Sequence, residues 1–283
     1  MRTDAPGDDR LRYNRYVHDM LAPLYERRHI EIFNPTEQRR IYDLLQSLLG
    51  KIHYQDYLRV LDFGAGTGNL TRHLLALGTN VVAADVSEGI LRELRALTGR
   101  QSRLKTIVLN GRDLAGVESD SFDIVAAYSV LHHVPDYLRI VDEFVRVVKP
   151  GGIIYIDHEV CPSYWEDNAE YLEYCRELTQ FQKTQSNSIL KRLSELATRN
   201  CSWRHIWAAL RLNGKRIDDD GDIHVHKHDH IEWLAIREHL EPFCEIMAED
   251  DYLVCRECQN LPYVWSRWRD RCVDMRLFVA RKK

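Results

Sequence analysis

Between residues 58 and 160 the chain alternates short apolar runs with stretches of helical period. The runs at 58–63, 81–85, 106–109, 122–128 and 153–158 are too short for helices. Between them apolar residues recur three and four apart, as in Leu70, Leu74 and Leu75, or Ile140, Val141 and Phe144. This pattern predicts strands joined by crossover helices, and so a parallel sheet covered on both faces. Further runs at 243–248 and 275–280 complete seven strand candidates in an α/β, doubly wound, mostly parallel sheet.

The flanks follow other rhythms. Residues 1–9 are expected to be a disordered lead. Tyr13, Tyr16, Val17, Met20, Leu21, Leu24 and Tyr25 then mark an amphipathic, aromatic helix over 11–30, interrupted near Pro23. Asn34-Pro35-Thr36-Glu37 is a helix start with proline at the first helical position. The helix carries Ile41, Leu44, Leu45, Leu48 and Leu49 on one face and ends at Gly50. Residues 161–223 are helical in pattern and rich in aromatics, among them Trp165, Trp203 and Trp207. Asp229 and Glu232 have capping-box spacing and are expected to open a helix to Leu240. The expected organisation is an N-terminal helical cover (1–57), a core (58–160 and 224–283) and a helical lid insertion (161–223).

Composition narrows the class. The chain of 283 residues balances 39 basic against 43 acidic side chains, a net charge of -4, and shows no basic stripe, which disfavours a nucleic-acid partner. No apolar run approaches the ~18 residues of a membrane span and no leading apolar segment is present, so no membrane partner is expected. Seven cysteines, an odd number scattered from Cys161 to Cys272, fit free thiols in a reducing cytosol. A cytoplasmic protein is expected. Cys255-Arg256-Glu257-Cys258 lacks a second pair at zinc-site spacing and is read as structural. Asp218, Asp219, Asp220 and Asp222 are read as a solvated loop.

The sharpest local signal is Asp62-Phe63-Gly64-Ala65-Gly66-Thr67-Gly68-Asn69, a glycine turn between strand and helix. Alternating glycines let the backbone approach a ligand closely and aim amides at it. A dinucleotide site wants glycine or alanine where Asn69 stands, so pyrophosphate is disfavoured. Asp85 ends the next strand about 20 residues on, where an acid receives ribose hydroxyls.

Five pieces in order now carry a resemblance: the Asp62–Gly68 turn, Asp85, Asn110-Gly111-Arg112-Asp113-Leu114, Ser121-Phe122-Asp123-Ile124-Val125 running into Leu131-His132-His133-Val134, and Val147-Val148-Lys149-Pro150-Gly151-Gly152. Together they resemble the class I S-adenosylmethionine-dependent methyltransferases of the small-molecule group, closely over 55–160 and loosely over 230–283. The resemblance implies a Rossmann-like transferase fold with S-adenosyl-L-methionine as cofactor. It sets Gly64, Gly66 and Gly68 against the methionine and ribose, and Asp62 behind that loop or on the amino end through water. Asp85 would take both ribose hydroxyls. Asp113 with the Leu114 amide would address adenine, or Asn110 and Gly111 in an ungapped register. Tyr128 and Ser129 would face the methionine, and Tyr25, with Tyr16 second, would cover the cofactor from the N-terminal helix.

The chemistry implied is in-line displacement at an activated methyl group, in which positioning does most of the work. A base is needed only for a protonated acceptor. His133 is the candidate, with His132 second, and His158 with Glu159 follows the fifth strand. The expected activity is methyl transfer to oxygen or nitrogen of a small, partly apolar metabolite under an aromatic lid. An RNA or protein methyltransferase and a non-catalytic cofactor-binding regulatory subunit are the alternatives. The oligomeric state is not legible. His224, His226, His228 and His230 alternate in sequence and would share a face if extended. Structural or surface placement is preferred there to substrate contact or metal, so the expected enzyme is metal-independent.

Overall fold

A computed structural model of the chain describes residues 6–52, 58–186 and 222–283. Ahead of the sheet come α1 (Pro6–Leu21), a 3-10 turn (Ala22–Leu24), α2 (Tyr25–Arg28), α3 (Ile30–Phe33) and α4 (Pro35–Gly50). The expected lead is thus helical from Pro6 onward, and the helix breaks just before Pro23 because proline cannot donate to the preceding turn. Asn34 caps α4 by accepting from the Glu37 amide at 2.9 Å, with Pro35 at the first helical position.

The core runs β1 (Arg59–Phe63), α5 (Asn69–Ala76), β2 (Asn80–Asp85), α6 (Glu88–Thr98), β3 (Leu104–Val108), β4 (Phe122–Tyr128), α7 (Tyr137–Val147) and β5 (Val148–Val160). After it come α8 (Ala169–Ser186), β6 (Val225–His226), β7 (Asp229–His230), α9 (Trp233–Leu240), β8 (Cys244–Tyr252), α10 (Tyr263–Trp268) and β9 (Met275–Lys282). Seven strands form one sheet in the order β3-β2-β1-β4-β5-β9-β8, and β9 runs antiparallel to both its neighbours.

Alternation along the strands explains the two cores. Leu61, Phe63, Val125, Ala127, Ile154 and Ile156 face α7 and α9, where Ile140, Phe144, Trp233 and Ile236 meet them. Val60, Val81, Ala83, Ile124, Ala126 and Tyr155 face the other way, onto Ile41 and Leu45 of α4, Leu70 and Leu74 of α5 and Leu91 of α6. Strands apolar on both faces are what a doubly covered sheet requires. The order reverses between β1 and β4, which places the ligand crevice at the carboxyl ends of these strands.

One expectation fails. Asp229 does not cap a helix. It sits in a hairpin with β6, paired with His226, and α9 starts after Glu232 with no side-chain cap. The turn at Lys227 and His228 also ends the alternation of the histidines, leaving His226 and His228 exposed. The Asp229 carboxylate instead accepts from His224 Nδ1 at 2.5 Å.

Of the 161–223 segment, 187–221 lie outside the described residues, and with them Trp203, Trp207, Cys201 and the acidic run 218–220. The described helix α8 packs Tyr174 and Leu178 against Leu253, Val264, Trp268 and Cys272. Cys161, Cys175, Cys244, Cys255 and Cys272 are free thiols. No helix among the described residues is long and apolar enough to cross a membrane.

Gly64 shows how tightly the crevice is built. Its φ is +68°, and a Cβ there would lie 2.7 Å from Val130 Cβ. Gly64→Ala is expected to lower the unfolding free energy by ~2–5 kcal/mol, combining left-handed strain with overpacking. A urea unfolding midpoint indistinguishable from wild type would contradict this.

Candidate active site

Two cavities open at the carboxyl edge of the sheet. The first lies between the glycine turn and α1. Gly64, Gly66, Asp85, Asp113, Ser129, Tyr25 and His133 line it, closed by an apolar slot of Val86, Leu109, Val134 and Ile140. Gly66 has φ +54°, and a Cβ there would meet only the Tyr25 ring, at 3.8 Å across the cavity. Asp85 is buried. Its Oδ2 accepts from the Gly66 amide at 3.0 Å and its Oδ1 from the Ser87 amide at 2.9 Å. Burial raises the Asp85 pKa above the usual carboxylate value, against the pull of His18 and these amides.

The other sequence candidates stand behind the wall. Asp62 accepts from Thr71 Oγ at 2.6 Å beneath the turn, and burial pushes its carboxyl up to about 7. Gly68 caps α5 in a left-handed conformation and does not line the cavity. The Leu114 amide is already donated to Glu143 at 3.0 Å, so it does not face a ligand. Asp113 lies at the rim, accepting from Asn110 at 2.7 Å and paired with Arg139 at 2.9 Å. Tyr128 follows Ile124 and Ala126 onto the α4 side of the sheet. There its hydroxyl donates to Glu37 at 2.9 Å and its ring stacks on His158. Tyr16 is exposed.

The cover residues that sequence patterning passed over are Asn14 and His18. Together with Leu11 and Tyr25 they complete the roof, and the signal available was their four-residue spacing on a helix. Asp19 anchors this roof by accepting from Ser87 Oγ at 2.5 Å and from the Gly89 amide at 2.8 Å, at the start of α6.

The second cavity, about 380 Å³, continues from the first, and His18, Tyr25, Ser129 and His133 line both. Its far wall includes Ile32, Tyr164, Trp165, His224 and Arg256. Trp165 stacks near His230 at 4.9 Å, and its indole N–H has no acceptor among the described residues.

A bulge in β5 builds the polar end of this cavity. Between Asp157 and Glu159 the register with β9 slips, and His158, at φ +63°, is the extra residue. A bulge re-aims the side chains that follow it. Asp157 therefore points to Arg40 at 2.8 Å, whereas Glu159 reaches the end of β4, accepting from the Val130 and Leu131 amides at 2.8 and 2.7 Å. Its other oxygen accepts from His132 Nδ1 at 2.7 Å. Burial works against the charged form of His132, but Glu159 and Asp222 outweigh it and raise its pKa. His133 accepts from Asn14 Nδ2 through Nδ1 at 3.0 Å and lies edge-on to His18. Of the two neighbouring imidazoles, His132 is the one held by the buried Glu159 carboxylate, and His133 lies 3.3 Å from Asp222.

Known proteins agree with this architecture. Residues 61–156 match the family described as a methyltransferase domain. A ubiquinone biosynthesis O-methyltransferase of Leptothrix cholodnii is 29% identical over 155 residues, 54% of this chain and 63% of that protein. A demethylmenaquinone methyltransferase of Clavibacter sepedonicus is 41% identical over 98 residues, 35% of this chain and 40% of that protein. The chain thus spans between 40% and 63% of the length of these two relatives. In fold, an S-adenosylmethionine-dependent methyltransferase from Mesorhizobium loti superposes with a TM-score of 0.51 at 18% identity, covering 83% of this chain and 96% of that one. Residues 61–156 therefore form a methyltransferase domain, carried on the seven-stranded sheet of the class I S-adenosylmethionine-dependent methyltransferases.

Proposed function

We propose that the protein transfers a methyl group from S-adenosylmethionine to an oxygen of a small, partly apolar metabolite held in the second cavity. The observation that carries this reading is the junction. Four side chains wall both cavities, so a nucleophile in one faces a methyl donor in the other. The first cavity suits the cofactor. Gly66 leaves its backbone bare, Asp85 supplies carboxylate oxygens for a diol, and the Val86–Ile140 slot is apolar enough for a purine. Bound there, the cofactor supplies a methyl carbon already activated by a sulfonium.

The chain's part is then placement and exclusion of water. Tyr25 and His18 close the roof, Ser129 and His133 flank the line of transfer, and Trp165 walls the acceptor side. The acceptor's proton is lost at the polar end, where His132, His133 and Asp222 gather. Oxygen is favoured over nitrogen because the relatives from Leptothrix and Xanthomonas are O-methyltransferases.

The test is incubation of the full chain with the cofactor and a panel of hydroxylated and aminated aromatic acceptors. The expected readouts are a methylated product and demethylated cofactor in equal amounts by mass spectrometry. Turnover on amines alone would overturn the oxygen assignment, and cofactor binding with no turnover on any acceptor would overturn the enzyme reading. Trp165→Ala removes an aromatic wall of the second cavity and is expected to raise the acceptor KM about tenfold through lost apolar contact, while leaving cofactor affinity unchanged. Equal losses of both would remove Trp165 from the acceptor site.

A further inference from the structure

The histidines that alternate in sequence, His224 to His230, are not the ones the fold gathers. It brings together His132, His133 and Asp222, with one donor atom from each lying within 4.8 Å of the others. Asp222 Oδ1 stands 3.3 Å from His133 Nδ1 and 3.7 Å from His132 Nε2. Two ligands bonded to one ion at ~2.1 Å and held in tetrahedral array lie roughly 3.4 Å apart. Both Asp222 separations are close to that value.

The surroundings match a metal's second layer. A metal-bound imidazole characteristically donates its other ring nitrogen to a carboxylate. His132 does so through Nδ1 to Glu159, which leaves Nε2 directed at Asp222. Glu159 is itself held by two backbone amides, so this imidazole is fixed before any ion arrives. Asp222 is also placed by backbone, since the next two amides, Ile223 and His224, both donate to the His132 carbonyl, at 2.9 and 3.0 Å. His133 Nδ1, which accepts from the Asn14 amide at 3.0 Å, would exchange that hydrogen bond for the ion. All three donors line the second cavity.

We propose that His132, His133 and Asp222 bind one divalent transition ion at the wall of the acceptor cavity. Two imidazoles and one carboxylate, with positions left open, select zinc, iron(II), manganese or cobalt over magnesium or calcium, which prefer oxygen ligands. The open positions face the cavity, where an acceptor hydroxyl would take one of them and lose its proton to solvent as it binds. The site rests on its own geometry; its role toward the acceptor rests on the methyl-transfer reading above.

The test is made on the full chain, stripped with a chelator, with no cofactor or acceptor present. Zinc is titrated against a chromophoric competitor, and cobalt is titrated while its visible absorption is followed. One equivalent of each is expected at micromolar affinity or better, with a cobalt spectrum of nitrogen and oxygen ligation. Asp222→Asn and His132→Gln are each expected to weaken zinc at least tenfold. Glu159→Gln, which touches no ion, is expected to weaken it about tenfold to a hundredfold through His132. His228→Gln, in the exposed hairpin, should change nothing. Thermal midpoints of the stripped variants separate lost ligation from lost folding. Absence of stoichiometric binding by the wild-type chain overturns the proposal, as does binding that survives His132→Gln and is removed by His228→Gln. Because no methyl transfer is measured, failure here leaves the activity reading standing, and failure of the acceptor panel leaves the ion site standing.

Discussion

Replacing Asp85 with alanine is expected to weaken S-adenosylmethionine binding ten- to a hundredfold, as measured by calorimetry. A carboxylate that receives two hydroxyls contributes ~1.5–3 kcal/mol through charge-assisted bonds. Asp85→Asn should lose less because one acceptor oxygen remains. Asp85 also holds the Gly66 and Ser87 amides, so a control must separate ribose contact from loop order. A cofactor analogue lacking both ribose hydroxyls should bind the wild type and Asp85→Asn with equal, reduced affinity. The pH dependence supplies a further sign. Burial raises the Asp85 pKa, so affinity should fall as pH drops through that raised value and the acceptor oxygens are protonated. Asp85→Asn should lack this acid limb. Undiminished affinity in Asp85→Ala would remove the ribose from this position.

The second large effect is on stability. Arg40 is bonded to Glu37 at 2.5 Å, to Asp157 at 2.8 Å and to the Tyr252 hydroxyl at 2.8 Å. The two carboxylates are 2% and 0% exposed, and among the described residues no other lysine or arginine bonds either. Arg40→Met keeps most of the apolar stem and leaves two buried acids without their cation. The expected cost is ~3–5 kcal/mol at pH 8, read from urea unfolding. Burial already raises the Glu37 pKa, and Arg40 acts against that rise. Without Arg40 the folded-state Glu37 value moves further above that of the unfolded chain. An acid so raised is penalised at high pH and relieved as pH falls, because the folded state binds the proton more tightly. The deficit should therefore shrink from pH 8 to pH 5. A deficit under 1 kcal/mol, or one independent of pH, would show that the Tyr128, Tyr155 and Tyr252 hydroxyls satisfy both acids unaided.

Local patterns were legible, and pairings across the chain were not. The 122–128 strand and the Asn34-Pro35 helix start appear in the structure at the residues where apolar alternation and capping chemistry put them. Tyr25, Gly64, Gly66, Asp85 and Ser129 come to one cavity because a strand, a turn and a following strand end are neighbours in any such sheet. The β5 strand runs on to Val160, past the expected end at 158, because a bulge at His158 lets Glu159 and Val160 stay paired with β9. The same bulge decides that Glu159 meets His132, 27 residues away, and no spacing rule carries that information. Tyr128 was misdirected for a related reason. It keeps the alternation of its strand, which turns it toward Glu37 and away from the crevice. Asp222 reads as one more acid in a solvated loop until the Ile223 and His224 amides tie it to His132.

The shared wall has a thermodynamic consequence. His18 of α1 and Tyr25 of α2 border both chambers from the helical roof, which is hooked to α6 through Asp19. Ordering that roof for one occupant leaves less ordering to be done for the other. Reciprocity then requires that cofactor and acceptor raise each other's affinity by the same factor, whichever arrives first. Loosening the hook, which touches neither chamber, would lower that common factor and turn a cooperative pair of ligands into two independent ones.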